Sequence, residues 1–234
     1  MKAKLVMFSL IVSGILAFST VKAEEQIRDV SIFSKVSLRI AAKVHLTQGS
    51  GQTVRVEAKA SVMDEIITEV KDDELIIRFP GKTLFKRNFN PGKIEIFITV
   101  PEVDGLAVSG SGDILSDELQ ARILDLAVSG SGNIEIDKLD SKKLKASISG
   151  SGNIKLNGNG VADELSVAIS GSGNFNGLGF EANQVNVKTS GSGNCTITSN
   201  GAIKARIAGS GSVLYKGGAS VDATIAGSGH VKEL

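Results

Sequence analysis

The chain has 234 residues and a formal net charge of +1 at pH 7, from 26 basic and 25 acidic side chains. This balance argues against nucleic acid as the main partner, because phosphate binding requires a basic surface. An apolar share of 41% is too high for a disordered chain, and the single cysteine, Cys195, excludes an internal disulfide framework.

Residues 1–23 have the pattern of a secretory signal peptide. Two early lysines precede an apolar run over residues 5–18, and the segment ends at the small residue Ala23. We expect cleavage after Ala23 and export to the periplasm, the cell surface or the medium. A retained membrane anchor is the alternative, although the run is short for a bilayer span. The mature chain would carry 23 basic and 25 acidic side chains and is not expected to span a membrane.

Residues 24–105 predict a β-rich region that caps the rest of the chain. The stretches FSKVSLRI, AKVHLTQ, TVRVEAKA and KIEIFITVP alternate between apolar and polar residues, as strands do. GSGQ at 49–52 is interpreted as a hairpin turn. SVMDEIITEV at 61–70 is the one helix candidate, with Ser61 placed to cap it, and KDDELIIRF predicts a hairpin around Asp72 and Asp73.

The segment PGKTLFKRNFNPG, residues 80–92, collects basic and aromatic side chains in one loop: Lys82, Phe85, Lys86 and Arg87. One interpretation is a binding tip. The other is a solvated loop whose phenylalanines fold back onto the sheet.

The tripeptide GSG then recurs seven times in residues 106–234. The first glycines are spaced by 20, 20, 21, 20, 18 and 18 residues. A fixed period near twenty predicts a solenoid in which each repeat is one coil. The glycines of these seven repeats are Gly110, Gly112, Gly130, Gly132, Gly150, Gly152, Gly171, Gly173, Gly191, Gly193, Gly209, Gly211, Gly227 and Gly229.

Columns read through the repeats alternate with period two on both sides of each GSG, so strands flank it. The column two residues before the first glycine is Val108, Val128, Ile148, Ile169, Thr189, Ile207 and Ile225. We therefore predict an all-β fold, a parallel β-helix of about seven coils. It follows an N-terminal β-rich capping region with one short helix.

A sharp corner between strands explains the glycines, because glycine adopts positive φ without a Cβ clash. One column after the glycines is mostly asparagine, which tolerates turn dihedrals and can hydrogen-bond from coil to coil. This expected asparagine ladder comprises Asn133, Asn153, Asn174 and Asn194. The last two repeats depart from it with Ser212 and His230.

The motifs LTQG, DDELIIRF, ITVPEVDGLAVSGSGDI and repeated SGSGNI resemble the putative autotransporter adhesin head domain, also called the GIN domain. The resemblance covers most of the chain from about Phe33. It implies a β-helix and a cell-envelope or surface setting, and it supplies no catalytic residues.

The sequence lacks the motifs of a phosphate loop, a repeated calcium site, a metal site or a catalytic centre. The GSG segments lack the Lys and Ser/Thr of a phosphate loop, and only Asp113 stands where a repeated calcium site would need aspartates. His45 and His230 have no partner motif for a metal, and Cys195 falls in an inward column, where a buried thiol is inert. We therefore expect no cofactor, no metal and no catalytic residues.

Three functions remain open. The first is an exported, non-enzymatic adhesin-like protein that binds a polysaccharide or a protein through the β-helix faces. The second is a polysaccharide-degrading enzyme of the pectinase kind, by analogy of fold alone. The third is a structural envelope protein that assembles through its C-terminal coil edge, because the last coil stops a few residues after its GSG.

Overall fold

The computed structural model describes residues 23–81 and 90–234. The predicted signal peptide up to residue 22 and the predicted binding loop with Lys82, Phe85, Lys86 and Arg87 lie outside the described residues. The fold is all-β with one short helix, as predicted.

In the described residues 23–81 and 90–105, the N-terminal region contains seven complete strands and one helical turn. They are β1 (Ala23–Ile27), β2 (Lys35–Leu38), β3 (Lys43–Gln48), β4 (Thr53–Lys59), α1 (Ala60–Met63), β5 (Ile67–Lys71), β6 (Glu74–Arg78) and β7 (Glu95–Val100).

The repeats supply the remaining strands. They are β8 (Gly105–Gly110), β9 (Asp113–Gly130), β10 (Asn133–Gly150), β11 (Asn153–Leu156), β12 (Gly160–Gly171), β13 (Asn174–Gly191), β14 (Cys195–Thr198), β15 (Ala202–Gly209), β16 (Ser212–Lys216), β17 (Ser220–Gly227) and β18 (His230–Glu233).

The repeats stack as a parallel solenoid, which confirms the predicted fold. Equivalent residues pair in register, so that Val128 lies beside Val108 on one side and Ile148 on the other. The solenoid has about six turns, slightly fewer than the seven predicted. Alternate side chains are buried on either side of the corners in β9 and β10, as period-two patterning requires.

Each coil has three outer faces. The first face leads into the GSG corner and comprises residues 105–110, 125–130, 145–150, 166–171, 186–191, 204–209 and 222–227. The second face follows the corner and comprises residues 113–116, 133–136, 153–156, 174–177, 195–198, 213–216 and 230–233. The third face is the return segment, such as residues 118–123 and 138–143.

The N-terminal region itself forms coils that continue the stack. β2 pairs in parallel with β8, and β3 pairs in parallel with β9. β6 and β7 add a further layer on β2 and β3, and antiparallel β5, β4 and β1 lie outside them. One buried apolar cluster extends from Phe33 to Val213. The boundary between residues 105 and 106 stays a prediction.

Two local predictions in this region are wrong. The GSG at 49–51 does not close a hairpin, because β7 lies between β3 and β4 and pairs with both. Ser61 does not cap a helix, since α1 is a single turn with Lys59 at its N-cap. The last four residues of the expected helix, 67–70, instead belong to β5, whose Ile67, Thr68 and Val70 favour extended backbone.

The hairpin around Asp72 and Asp73 is confirmed. β5 and β6 pair antiparallel, and the two aspartates have φ values of 50° and 61°. Two successive positive φ angles are the geometry of a tight turn whose twist matches the flanking strands.

The inward column before the corner contains one polar side chain, Thr189. Its neighbours there are Ile169 and Ile207, it is 3% exposed, and its Oγ1 has no hydrogen-bond partner. A buried hydroxyl without a partner loses its hydration and gains nothing in return.

We expect Thr189→Val to stabilise the fold by about 1–2 kcal/mol, because valine keeps the shape and removes the unsatisfied hydroxyl. Urea unfolding measures the change. Thr224→Val is the control, since Thr224 is exposed on the first face. Equal effects of the two substitutions, or a loss of stability in Thr189→Val, would contradict this explanation.

Candidate functional site

The GSG segments are corners whose amides are already used. At the third corner, the backbone N–H groups of Ser151 and Gly152 both donate to the carbonyl oxygen of Gly130, at 2.8 and 2.9 Å. The N–H of Asn153 donates to Gly132 at 3.2 Å. These donors therefore point along the solenoid axis into the preceding coil, and they are not free to bind a phosphate group.

Two constraints require glycine at these corners. The first glycine has positive φ, from 116° at Gly110 to 133° at Gly227, and from Gly130 onward a Cβ on it would also lie 2.2–2.5 Å from the carbonyl oxygen of the preceding corner's first glycine. The second, as at Gly152, lies so close to the preceding corner that a Cβ would stand 2.1 Å from the carbonyl oxygen of Gly132.

The asparagine column forms a continuous ladder of side-chain hydrogen bonds. Each amide nitrogen donates to the side-chain oxygen on the preceding coil, beginning with Asn133 to Asp113 at 2.8 Å. The following steps are Asn153 to Asn133 at 2.9 Å, Asn174 to Asn153 at 3.0 Å and Asn194 to Asn174 at 3.1 Å.

The ladder extends into the two repeats that lack asparagine. The backbone N–H of Ser212 donates to Asn194 Oδ1 at 3.1 Å, and Ser212 Oγ lies 3.1 Å from Nδ1 of His230. The ladder thus joins coils to one another and leaves little free hydrogen-bonding capacity for a ligand.

We expect Asn153→Ala to destabilise the fold by about 1–3 kcal/mol, because it removes one hydrogen bond on each side of its coil. Asn176→Ala is the matched control, since Asn176 is exposed on the same face of the next coil. Thermal and urea unfolding compare the two. Similar stabilities would show that the ladder contributes nothing.

Cysteine and histidine are the two residue types for which the sequence predicts no nucleophilic or metal-binding role. Cys195 is buried, and burial raises the pKa of its thiol, which disfavours the nucleophilic thiolate. His45 stacks on Phe97 with ring centroids 4.8 Å apart. In residues 23–81 and 90–234, no three His, Cys, Asp or Glu side chains are placed to hold a metal ion.

The stack of His45 and Phe97 was not anticipated from the sequence. The guanidinium of Arg55 lies 4.0 Å from the Phe97 ring centroid, so three strands that are neighbours in the sheet contribute a row of flat groups. Only the pairing of β4, β7 and β3 brings these residues together, and that order is not the order of the chain.

The first face carries an open groove of about 710 Å³. Its outward residues next to the corner are Ser109, Ser129, Ser149, Ser170, Ser190, Ala208 and Ala226. The adjacent outward row is Ala107, Ala127, Ser147, Ala168, Lys188, Arg206 and Thr224. With strands about 4.8 Å apart, the groove runs for roughly 30 Å along the solenoid axis.

The side chains that line this groove are smaller than those of the third-face groove. The third face also has a groove, of about 810 Å³, but Gln120, Arg122, Asp140, Lys142 and Asp163 line it with long or charged groups. The first-face groove instead combines small hydroxyl and methyl side chains with only two charged ones, Lys188 and Arg206.

A family model described as "Putative auto-transporter adhesin, head GIN domain" matches residues 32–219. The chain belongs to this family. The match covers the N-terminal coils and most of the repeats, and the family's description indicates an adhesin-like surface or exported protein. No curated protein matches this GIN-domain chain.

Solved structures share the fold of the GIN-domain chain. A putative adhesin from Bacteroides fragilis is 27% identical with a TM-score of 0.84, over 91% of this chain and 97% of that one. A putative lipid binding protein from Parabacteroides distasonis is 22% identical, with a TM-score of 0.73 and coverage of 92% and 98%. A putative adhesin from Parabacteroides merdae is 23% identical, with a TM-score of 0.73 and coverage of 92% and 97%.

In the described part of the GIN-domain chain, no helix has the length and apolar character needed to cross a membrane.

Proposed function

We propose that this GIN-domain chain is a non-enzymatic, adhesin-like protein, exported by its signal peptide, that binds a polysaccharide along the first-face groove. The observation that carries the proposal is the groove itself, in which nearly the same small outward residues recur on successive coils. A ligand with repeated units can make the same contacts at each coil, so a polymer suits this surface.

A polysaccharide suits the groove better than a folded protein. Protein interfaces concentrate their binding energy in large aromatic or arginine side chains that fill pockets. The groove instead offers a mainly apolar surface of small side chains, in which serines such as Ser129 and Ser149 alternate with methyl groups. Hydroxyls donate and accept hydrogen bonds, which matches the hydroxyl groups of sugars.

Binding without cleavage is favoured by the composition of the groove. Glycoside hydrolysis requires two carboxyl groups on either side of the scissile bond. The residues that line the first-face groove, all of them described, include no Asp or Glu. On the same face Asp125 and Asp222 lie next to lysines, in ion pairs with Lys145 and Lys204.

The proposal is tested by presenting residues 24–234 to a panel of plant and bacterial polysaccharides. We expect binding to at least one, without release of reducing or unsaturated sugar ends. Ser147→Trp should abolish this binding, because it places an indole in the middle of the groove. Asn176→Trp, on the second face, is the matched control and should bind normally.

Two results would contradict the proposal. Release of sugar ends by the pure chain would favour a polysaccharide-degrading enzyme. Equal binding by the two tryptophan variants would show that the ligand does not bind to the first face.

As a second candidate, we propose that the chain assembles with a second copy through β17 and β18. In the last described coil, Val221 and Ile225 remain 38% and 41% exposed, although their columns are buried in the preceding coils. Two such edges related by a two-fold axis run antiparallel, so they can pair and cover each other.

Light scattering tests this assembly. We expect a dimer that Ile225→Lys dissociates, and a strict monomer at high concentration would contradict assembly.

A further inference from the structure

Charged side chains on neighbouring coils are mostly arranged as opposite pairs. In-register stacking brings equivalent residues side by side, about 4.8 Å apart. Four such neighbours form ion pairs: Glu118–Lys138 at 2.7 Å, Lys143–Glu164 at 3.0 Å, Asp125–Lys145 at 3.8 Å and Lys204–Asp222 at 3.9 Å. Opposite charges directly across neighbouring strands stabilise a sheet, and like charges destabilise it.

Lys188 and Arg206 break this rule inside the first-face groove. They are in-register neighbours on β13 and β15, both are exposed, and both line the groove. Within the described part of the chain neither has an ion-pair partner. The acid closest in register, Asp222, is already paired with Lys204.

The rest of the groove provides no compensation for these two charges. The preceding residue of their row is Ala168 and the following one is Thr224. Ser190 and Ala208 flank them on the corner side. Two cations therefore stand together on an otherwise uncharged lining, where an incoming anion would relieve their repulsion.

We propose that Lys188 and Arg206 form a carboxylate-binding subsite, and that the groove takes an acidic polysaccharide containing uronic acid units. The inference rests on the proposed function and names the ligand class for it. The planar fork of Arg206 matches both oxygens of a carboxylate, while Lys188 adds a mobile point charge. Ser190 lines the groove beside Lys188 and Arg206, and its hydroxyl would contact the sugar next to the charged group.

The position of the subsite predicts how the polymer lies. Lys188 and Arg206 belong to coils near the C-terminal end of the groove, whereas Ala107, Ala127 and Ser147 form its uncharged N-terminal part. One carboxylate would fix the polymer at the charged end, and neighbouring sugar units would contact the small residues along the remainder.

Polygalacturonate and its methyl-esterified form provide matched probes, since they share a backbone and differ in free carboxylates. At physiological salt, we expect the chain to bind polygalacturonate at least about tenfold more tightly than the ester. Lys188→Gln/Arg206→Gln should lose most of this preference, and added salt should weaken binding to the acidic form selectively.

The matched control variant is Arg122→Gln/Lys142→Gln. It removes the same two charge types from neighbouring coils, but on the third face. It should bind polygalacturonate like the unmodified chain, which separates a local subsite from an effect of net charge. Melting temperatures of both variants, expected to be close to that of the unmodified chain, verify that the fold is intact.

Two results would overturn the subsite: equal affinity for the acidic polymer and its ester, or equal loss of affinity in the two double variants. If Ser147→Trp nevertheless abolishes binding, the proposed function stands while this inference fails. If no polysaccharide binds the folded chain, both fail.

Discussion

Gly152→Ala is expected to destabilise the fold by about 3 kcal/mol or more, or to prevent folding. A Cβ on this residue would lie 2.1 Å from the carbonyl oxygen of Gly132 and 2.5 Å from Cγ1 of Val128. The first of these atoms belongs to the backbone of a neighbouring coil, so it cannot move away without opening the stack. Urea unfolding measures the loss.

Gly51→Ala is the matched control, because Gly51 is the last residue of the GSG that lies outside the solenoid corners. A Cβ there would meet nothing within 4 Å, and its φ is not positive. We expect little change in its stability. If Gly152→Ala and Gly51→Ala were equally stable, the close stacking of the corners would not be what requires glycine.

Gly110→Ala tests the positive φ of a corner glycine separately from the close approach of the neighbouring corner. Its φ is 116°, but a Cβ there has open space around it. We expect this substitution to cost only the backbone strain, about 1–2 kcal/mol, and therefore less than Gly152→Ala.

Phe175→Ala should destabilise the fold by about 3–5 kcal/mol, because it removes a fully buried aromatic side chain from the core. Phe175 stands in the inward column of the second face, between Ile154 and Cys195. Its large ring fits because Gly177, two residues later, has no side chain. A Cβ on Gly177 would lie 3.0 Å from Cε1 of Phe175.

A double-mutant cycle tests this compensation. Phe175→Ile alone should leave a cavity, and Gly177→Leu alone should overpack the same space. The double variant has isoleucine at 175 and leucine at 177, which are the residues at the equivalent positions of the preceding coil, Ile154 and Leu156. We expect the double variant to be more stable than the sum of the single effects predicts, by about 1–3 kcal/mol. Simple additivity would show that the two sites are independent.

Much of the solenoid could be predicted because its period places equivalent residues in register. Val108, Val128 and Ile148 of the column before the corner are buried as alternation requires, and the corner glycines fall where strands change direction. The N-terminal coils could not be found in the same way. β2 and β3 lie between β6/β7 and β8/β9 in space, so this part of the stack does not follow the chain order and has no GSG marker.

The asparagine ladder shows a second limit of predictions that depend on residue identity alone. Ser212 and His230 interrupt the asparagine column in the sequence, yet both can hydrogen-bond and both continue the ladder. What is preserved along this column is the capacity for a bond between coils, which a search for asparagine alone does not detect.

The candidate site was only partly visible in the sequence. Reading the columns places Lys188 and Arg206 outward and adjacent, but their significance depends on the ion pairs elsewhere on the solenoid. The contrast with Asp125–Lys145 and Lys204–Asp222 emerges only when distances between side chains are known.

Amide chemical shifts of the isotope-labelled chain, recorded while a short galacturonate oligomer is added, test most directly where the ligand binds. The predicted result is saturable shifts confined to the first face, largest around residues 186–190 and 204–208 and weaker toward 147–149. Shifts confined to the second or third face, or no saturable shifts with any polysaccharide from the panel, would contradict binding in the first-face groove.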